Sequence, residues 1–171
     1  MRHGGGYDPE SAGPGDEAAS DDTAPGDEAA LGAWVVPVLP PGVVGVGVDA
    51  VEVDRVRRLL EHLPRAYDRL FSGQERAYAD GFADPFPRYA ARFAAKEAVG
   101  KALGIGIIGF VWREIEVLSG GQPRVALHGR VAQVARLLGV TRVELSLSHT
   151  GGMAYAFAVA VKDASKEDED A

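Results

Sequence analysis

The chain has 171 residues, a length typical of one domain, and its 25 acidic and 18 basic side chains give a formal charge of −7. It has no cysteine, which excludes a disulfide scaffold, a thiolate nucleophile and a zinc site built on cysteine. Hydrophobic residues make up 46% of the chain, which is ordinary for a soluble globular protein.

The charge is unevenly distributed along the chain. Residues 1–42 carry −7, residues 162–171 carry −3, and the residues between them carry +3. Residues 1–30 contain no Leu, Ile, Val, Phe or Trp, so they cannot bury enough apolar surface to offset the entropy lost on ordering. We therefore predict a disordered acidic tail and linker over 1–42, a folded domain over 43–161, and a charged C-terminal tail over 162–171. A mildly basic domain is typical of a protein that meets anionic partners.

One uncharged stretch, residues 29–48, is long enough to cross a bilayer. It contains three prolines and four glycines and has no basic flank, which favours a linker that leads into a buried strand. The chain does not begin with a basic segment followed by an apolar one, so we expect no secretory signal. We expect a cytoplasmic protein with neither a membrane nor a nucleic acid as partner.

The spacing of apolar residues predicts a single α+β domain with a mostly antiparallel sheet and one long helix. Ser72 and Glu75 form a capping-box pattern, and Gly104 follows an alanine-rich helix that has no internal proline. Strands joined by turns, with the helices segregated from them, argue against a doubly wound sheet. The predicted elements are a strand at 43–48, helices at 53–63, 64–70, from Ser72 and at 88–103, strands at 113–118 and 124–127, a helix at 129–138, and strands at 142–148 and 153–161.

Three side chains are candidates for chemistry. Asp49 ends an apolar strand, where a carboxylate is costly unless it binds a cation or caps the next helix. Glu97 and Lys101 stand one helical turn apart among alanines and a glycine, whereas an ordinary solvated ion pair lies on a polar face. Two carboxylates and a lysine fit a magnesium site for phosphoryl chemistry, because Mg²⁺ is held by one or two carboxylates with phosphate oxygens and water. A helix cap and a solvated ion pair are the alternative interpretations.

Two other motifs carry less weight. Residues 104–109 match G-x-G-x-x-G, but a dinucleotide-binding loop follows a strand and opens a helix, whereas this one follows a helix. We interpret it as a glycine-rich helix exit. Ser148 and His149 are neighbours on a strand and point to opposite faces, so they cannot pair as nucleophile and base. Taken alone, His149 is interpreted as an ordinary loop histidine.

Two segments carry a resemblance to a known family. Gly47–Arg55 reads GVDAVEVDR, and Arg92–Gly104 reads RFAAKEAVGKALG. They resemble the two signature segments of the 4′-phosphopantetheinyl transferases, and more closely those of the holo-acyl-carrier-protein synthase branch. Residues 112–117, 121–123 and 145–150 also fall in the family's order, so the resemblance covers about residues 43–161.

The resemblance implies an activity. The 4′-phosphopantetheine group of coenzyme A is moved to a serine of an apo acyl carrier protein in fatty acid biosynthesis, with Mg²⁺ as cofactor, and adenosine 3′,5′-bisphosphate is released. The proton of the serine hydroxyl is taken by Glu97 or by a water held by the metal, and the sequence leaves both open. The implied site residues are Asp49 and Glu97 for the metal, Glu97 and Lys101 for catalysis, Arg92, Lys101 and His149 for coenzyme A, and Arg55, with Arg58 on the same helix face, for the acidic carrier.

The chain departs from the family pattern at two positions. Ile105 stands where the family often has Thr, and Val51 stands where the two-copy branch of the family has a third metal carboxylate, which favours the synthase branch. The chain holds one copy of the unit, so the resemblance implies a homotrimer with sites between subunits. The alternatives are a transferase specific for a polyketide or peptide synthase carrier, and a non-catalytic module that binds coenzyme A or a carrier.

Overall fold

The computed structural model describes residues 39–106 and 111–163. Most of the two predicted tails, and residues 107–110 of the glycine-rich motif, lie outside these ranges. The described elements confirm the predicted α+β fold, and no helix among them is long and apolar enough to cross a membrane. In chain order they are β1 (Val43–Glu52), α1 (Val53–His62), α2 (Arg65–Leu70), α3 (Gly73–Asp80), α4 (Phe86–Ala102), a 3₁₀ turn (Trp112–Glu114), β2 (Ile115–Leu118), β3 (Arg124–Leu127), α5 (Gly129–Leu137), β4 (Arg142–Thr150) and β5 (Met153–Val161).

The five described strands form one antiparallel sheet in the order β1-β5-β4-β3-β2. Strands β4 and β5 are joined by Gly151 and Gly152, whose φ angles of 56° and 77° suit a tight hairpin turn that only glycine adopts easily. The long helix α4 packs across one face of the sheet. Small side chains meet on both sides of this contact: Ala90, Ala94, Ala95 and Ala98 on α4, and Ala154, Ala156 and Ala158 on β5.

Two glycines let α4 lie directly on β1. A Cβ atom added at Gly47 would lie 2.0 Å from the carbonyl oxygen of Ala98, and one added at Gly45 would lie 2.1 Å from that of Ala102. No side chain fits at either position without moving the helix. Because side chains of a strand alternate between faces, the next residue of β1 that faces α4 is Asp49.

The structure corrects several predicted boundaries; α4, for example, begins at Phe86 and not at residue 88. Strand β1 continues to Glu52 instead of ending at residue 48, because β5 supplies pairing partners along its whole length. Arg113 and Glu114 lie in a 3₁₀ turn and not in a strand. Strand β4 continues to Thr150, so His149 lies within a strand, and its interpretation as a loop histidine is wrong.

The predicted capping box is confirmed. The Ser72 hydroxyl accepts a hydrogen bond of 3.2 Å from the backbone N–H of Glu75, and the Glu75 carboxylate accepts one of 2.8 Å from the N–H of Ser72. These bonds satisfy two backbone donors at the start of α3.

Candidate active site

The signature residue Asp49 is paired with Lys101. The Lys101 ammonium, from the last turn of α4, donates hydrogen bonds of 2.8 Å to Asp49 Oδ1 and of 2.8 Å to the carbonyl oxygen of Val48. The Asp49 side chain is 18% exposed and that of Lys101 is 50% exposed, so the pair lies at the open rim of the helix–sheet contact. Asp49 does not cap the next helix: α1 begins at Val53, its N-cap is Glu52, and no side chain caps it.

Glu97 lies one turn before Lys101 on the same helix and is 8% exposed. Burial and the negative charge of Asp49 raise the pKa of Glu97, and Lys101 opposes this rise. Within the described residues, its carboxylate accepts no hydrogen bond. The helix therefore holds an unpaired, partly desolvated carboxylate close to a second one, an arrangement that a bound cation would relieve.

These residues fit a magnesium ion. Mg²⁺ keeps several waters and takes one or two protein carboxylates together with phosphate oxygens. Asp49 and Glu97 supply two carboxylates from facing elements, and the described residues hold no cluster of three or more metal-ligating side chains that would suit a metal enclosed by protein. The remaining ligands would then come from a phosphate substrate and water. Lys101 adds a positive charge beside the same carboxylates.

Comparisons with known proteins show the family to which this chain belongs. A sequence profile of the 4′-phosphopantetheinyl transferase superfamily matches residues 45–160, almost the whole described domain. The chain belongs to this superfamily. Asp49 and the Glu97–Lys101 pair both lie within the matched region.

Several similar proteins are named holo-[acyl-carrier-protein] synthases. A holo-[acyl-carrier-protein] synthase of Desulforudis audaxviator is 48% identical over 122 residues, which cover 70% of this chain and 93% of the relative. The crystal structure of the Neisseria meningitidis enzyme of the same name has a TM-score of 0.64 at 32% identity, covering 70% of this chain and 99% of that one. A Bacillus anthracis holo-(acyl-carrier-protein) synthase in complex with coenzyme A (3′,5′-ADP) has a TM-score of 0.59 at 29% identity, covering 71% of this chain and 99% of that one.

Two residues that the sequence assigned to coenzyme A are separated from the carboxylates. Arg92 precedes Glu97 by five residues, about 7.5 Å along the helix axis, and is buried. Its guanidinium donates a hydrogen bond of 2.6 Å to the Ser119 hydroxyl and lies 4.1 Å from the centre of the Tyr78 ring. His149 is exposed near the end of β4, two strands away from Asp49. One chain therefore joins Asp49, Glu97 and Lys101 and leaves Arg92 and His149 apart from them.

The arginines assigned to the carrier line a groove beside α1, which we call the α1 groove. It has a volume of about 480 Å³, and its lining residues are Val51, Arg55, Val56, Arg58, Leu59, His62, Leu63 and Phe93. Among the described residues, the guanidinium groups of Arg55 and Arg58 form no ion pair. Their neighbour Arg57 differs, since it pairs with Asp54 at 3.5 Å and with Asp84 at 3.2 Å. The groove thus combines an apolar floor with two uncommitted positive charges.

Two features of the site were not predicted from the sequence. One is the contact of Gly45 and Gly47 with α4, whose signal was the spacing of two between these glycines and Asp49. The other is a fully buried ion pair between Lys96 and Glu75. Its signal was a lysine that directly follows two alanines in an alanine-rich helix.

Proposed function

We propose that this chain transfers the 4′-phosphopantetheine group of coenzyme A to a serine of an apo acyl carrier protein. The observation that carries the proposal is the convergence of Asp49, Glu97 and Lys101 where two signature segments of the superfamily meet. The names of the similar proteins and the coenzyme A complex of the Bacillus anthracis protein support it.

The reaction forms a bond between the serine oxygen of the carrier and the phosphorus that bears pantetheine. It breaks the bond from this phosphorus to the bridging oxygen of the pyrophosphate, and adenosine 3′,5′-bisphosphate leaves. Lys101 can neutralise charge on the pyrophosphate oxygens, and the Glu97 carboxylate, whose pKa is raised by burial and by Asp49, is a candidate acceptor of the serine proton. Asp49 and Glu97 would hold Mg²⁺, which when bound neutralises charge on the phosphate oxygens.

The α1 groove is the proposed dock for the carrier. The guanidinium groups of Arg55 and Arg58 are free to meet an acidic partner, and the apolar floor offers contact area beside them. Complementary charge speeds the encounter of two proteins and selects among partners. The proposal places the reaction in fatty acid biosynthesis in the cytoplasm, and an assay with several apo carriers distinguishes this role from service to a polyketide or peptide synthase.

The proposed assembly is a homotrimer. On the sheet face opposite α4, Val48 of β1 is 61% exposed and its neighbour on β5, Phe157, is 48% exposed, while Val46 and Tyr155 extend the same apolar surface. Contiguous apolar surface of this kind marks a protein interface. The resemblance to the family implies that the sites of such a trimer lie between subunits.

The test is direct. The protein is incubated with coenzyme A, Mg²⁺ and an apo carrier, and the carrier is weighed by mass spectrometry. Asp49→Ala and Glu97→Ala should each abolish the mass increase while circular dichroism shows an intact fold, because these carboxylates neutralise charge and are not part of the apolar core. Glu61→Ala removes an exposed acid from α1 and should leave turnover unchanged. Near-normal turnover by either site variant would refute the assignment, and coenzyme A binding by the wild type without transfer to any carrier would favour a non-catalytic module.

A further inference from the structure

The most deeply buried charges of the described domain lie directly behind the proposed site. Lys96 and Glu75 are both 0% exposed, and the Lys96 ammonium lies 2.8 Å from Glu75 Oε2. Lys96 is the residue before Glu97 on α4. It faces α3 and β2, while Glu97 faces β1.

Every polar atom of this pair is engaged. The Lys96 ammonium donates to Glu75, to the carbonyl oxygen of Trp112 at 3.0 Å and to that of Ile115. The Glu75 carboxylate also accepts hydrogen bonds from the backbone N–H groups of Ser72 at 2.8 Å and Val117 at 3.0 Å. The pair therefore links α4 to the start of α3, to the 3₁₀ turn and to β2.

Stability alone gives a weak reason for such a pair. Taking two charges out of water costs nearly as much free energy as their attraction returns, and apolar replacements of similar volume are often no less stable. The pair does supply orientation, because three hydrogen bonds from the Lys96 ammonium fix the position of that group relative to its neighbours. On the side of β1 and β5, the α4 contact consists largely of alanines and glycines, whose short side chains interlock weakly.

We infer that Lys96 is a positioning residue for the transfer reaction. Its hydrogen bonds to Glu75, Trp112 and Ile115 set the rotation and height of α4, and they thereby hold Glu97 and Lys101 against Asp49. On the opposite side of the helix, Gly45 and Gly47 set only the closest approach to β1. The activity part of this inference rests on the proposed function, whereas the geometric part does not.

The test replaces the pair as a unit. Lys96→Met alone would leave the Glu75 charge buried without its partner, so the variant of choice is the double substitution Lys96→Met/Glu75→Gln. We expect it to fold, to lower kcat by about 100-fold, as displacements near 1 Å do, and to change the KM for the carrier much less. In a crystal structure of this variant, the distance between Lys101 Nζ and Asp49 Oδ1 should exceed its present 2.8 Å.

A control separates positioning from stability. Val131 is buried on α5, and Val131→Ala should lower the melting temperature without lowering kcat. The inference would be overturned if the double variant had the kcat of the wild type. It would also be overturned if the double variant and Val131→Ala lost kcat to the same extent for the same fall in melting temperature. If the double variant does not fold, Glu75→Gln is compared with Val131→Ala by the same criteria. A wild-type protein without transferase activity would instead refute the proposed function, and the Lys101–Asp49 distance would still decide the geometric part.

Discussion

The contact between β1 and α4 makes a sharp prediction for Gly47→Ala. The added methyl carbon would lie 2.0 Å from the carbonyl oxygen of Ala98 and 2.7 Å from the backbone nitrogen of Ala102. Both are backbone atoms, so no side-chain rotation can relieve the overlap. Ordinary contact begins at 3.4 Å, so α4 must move away from β1 by about 1.4 Å. The shift would carry the backbone of Glu97 and Lys101 away from Asp49, and the 2.8 Å hydrogen bond between Lys101 and Asp49 would have to lengthen or re-form in another rotamer.

Two measurements follow from this displacement. Overpacking of this kind costs about 1–3 kcal/mol, which corresponds to a fall in melting temperature of about 5–15 °C for a domain of this size. A shift near 1 Å at a catalytic group can cost about 100-fold in rate, so kcat in the carrier-loading assay should fall by about that factor. Gly73→Ala is the matched control, because a Cβ atom added at Gly73 meets nothing within 4 Å. Wild-type kcat and melting temperature in Gly47→Ala would refute the claim that the site needs this close approach.

Three further predictions concern the carrier, the assembly and pH. Arg55→Glu should raise the KM for the carrier several-fold, leave that for coenzyme A unchanged and reduce the salt dependence, because exposed charges are screened beyond about 8 Å. Arg130→Glu, an equal charge change on α5, should change neither the KM for the carrier nor its salt dependence. Phe157→Glu should turn a trimer into monomers in light scattering and abolish transfer, and an active monomer would contradict the shared site. The hydrogen bond from Ser72 holds the pKa of Glu116 below its usual value, so Glu116 stabilises the fold above its unfolded pKa and loses this effect as pH falls through its folded pKa. Glu116→Gln should therefore lower the melting temperature at pH 7 and match the wild type in strong acid.

Local chemistry made much of the fold predictable. The capping box at Ser72 and the glycine after α4 each involve only a few neighbouring residues, and both mark helix ends in the structure. Boundaries that depend on a distant partner were predicted less well. Strand β1 continues beyond Asp49 because β5 pairs with it there, and the sequence of residues 49–52 does not indicate this pairing. His149 lies in a strand for the same reason, since β5 supplies its pairing partner, Ala154.

In the candidate site, too, local relations were predictable from the sequence and contacts between distant residues were not. Glu97 and Lys101 share a helix, so their spacing alone placed them on one face. The contact of Lys101 with Asp49 joins residues about fifty positions apart, so spacing alone could not predict it. The pairing of Lys96 with Glu75 was unpredictable from spacing, because the Glu75 carboxylate had a sufficient local role in the capping box. Only the packing of α3 against α4 shows that its second task is to neutralise a lysine.

The short side chain of Asp49 explains why so much of the contact around it is glycine and alanine. An aspartate reaches only one carbon beyond its Cβ atom, so a close approach of the helix backbone to the strand shortens the distance between its carboxylate and that of Glu97. Gly45 and Gly47 share the face of Asp49 through the period-two alternation of β1, and each leaves room for a carbonyl group of α4. A contact between such small residues fixes the distance between α4 and β1 well, but it fixes the rotation of α4 about its axis poorly. The directional hydrogen bonds of Lys96 constrain this rotation from the other side of the helix. The glycines and the lysine therefore perform complementary tasks, which is why substitution of either should reduce kcat far more than it affects binding of the carrier.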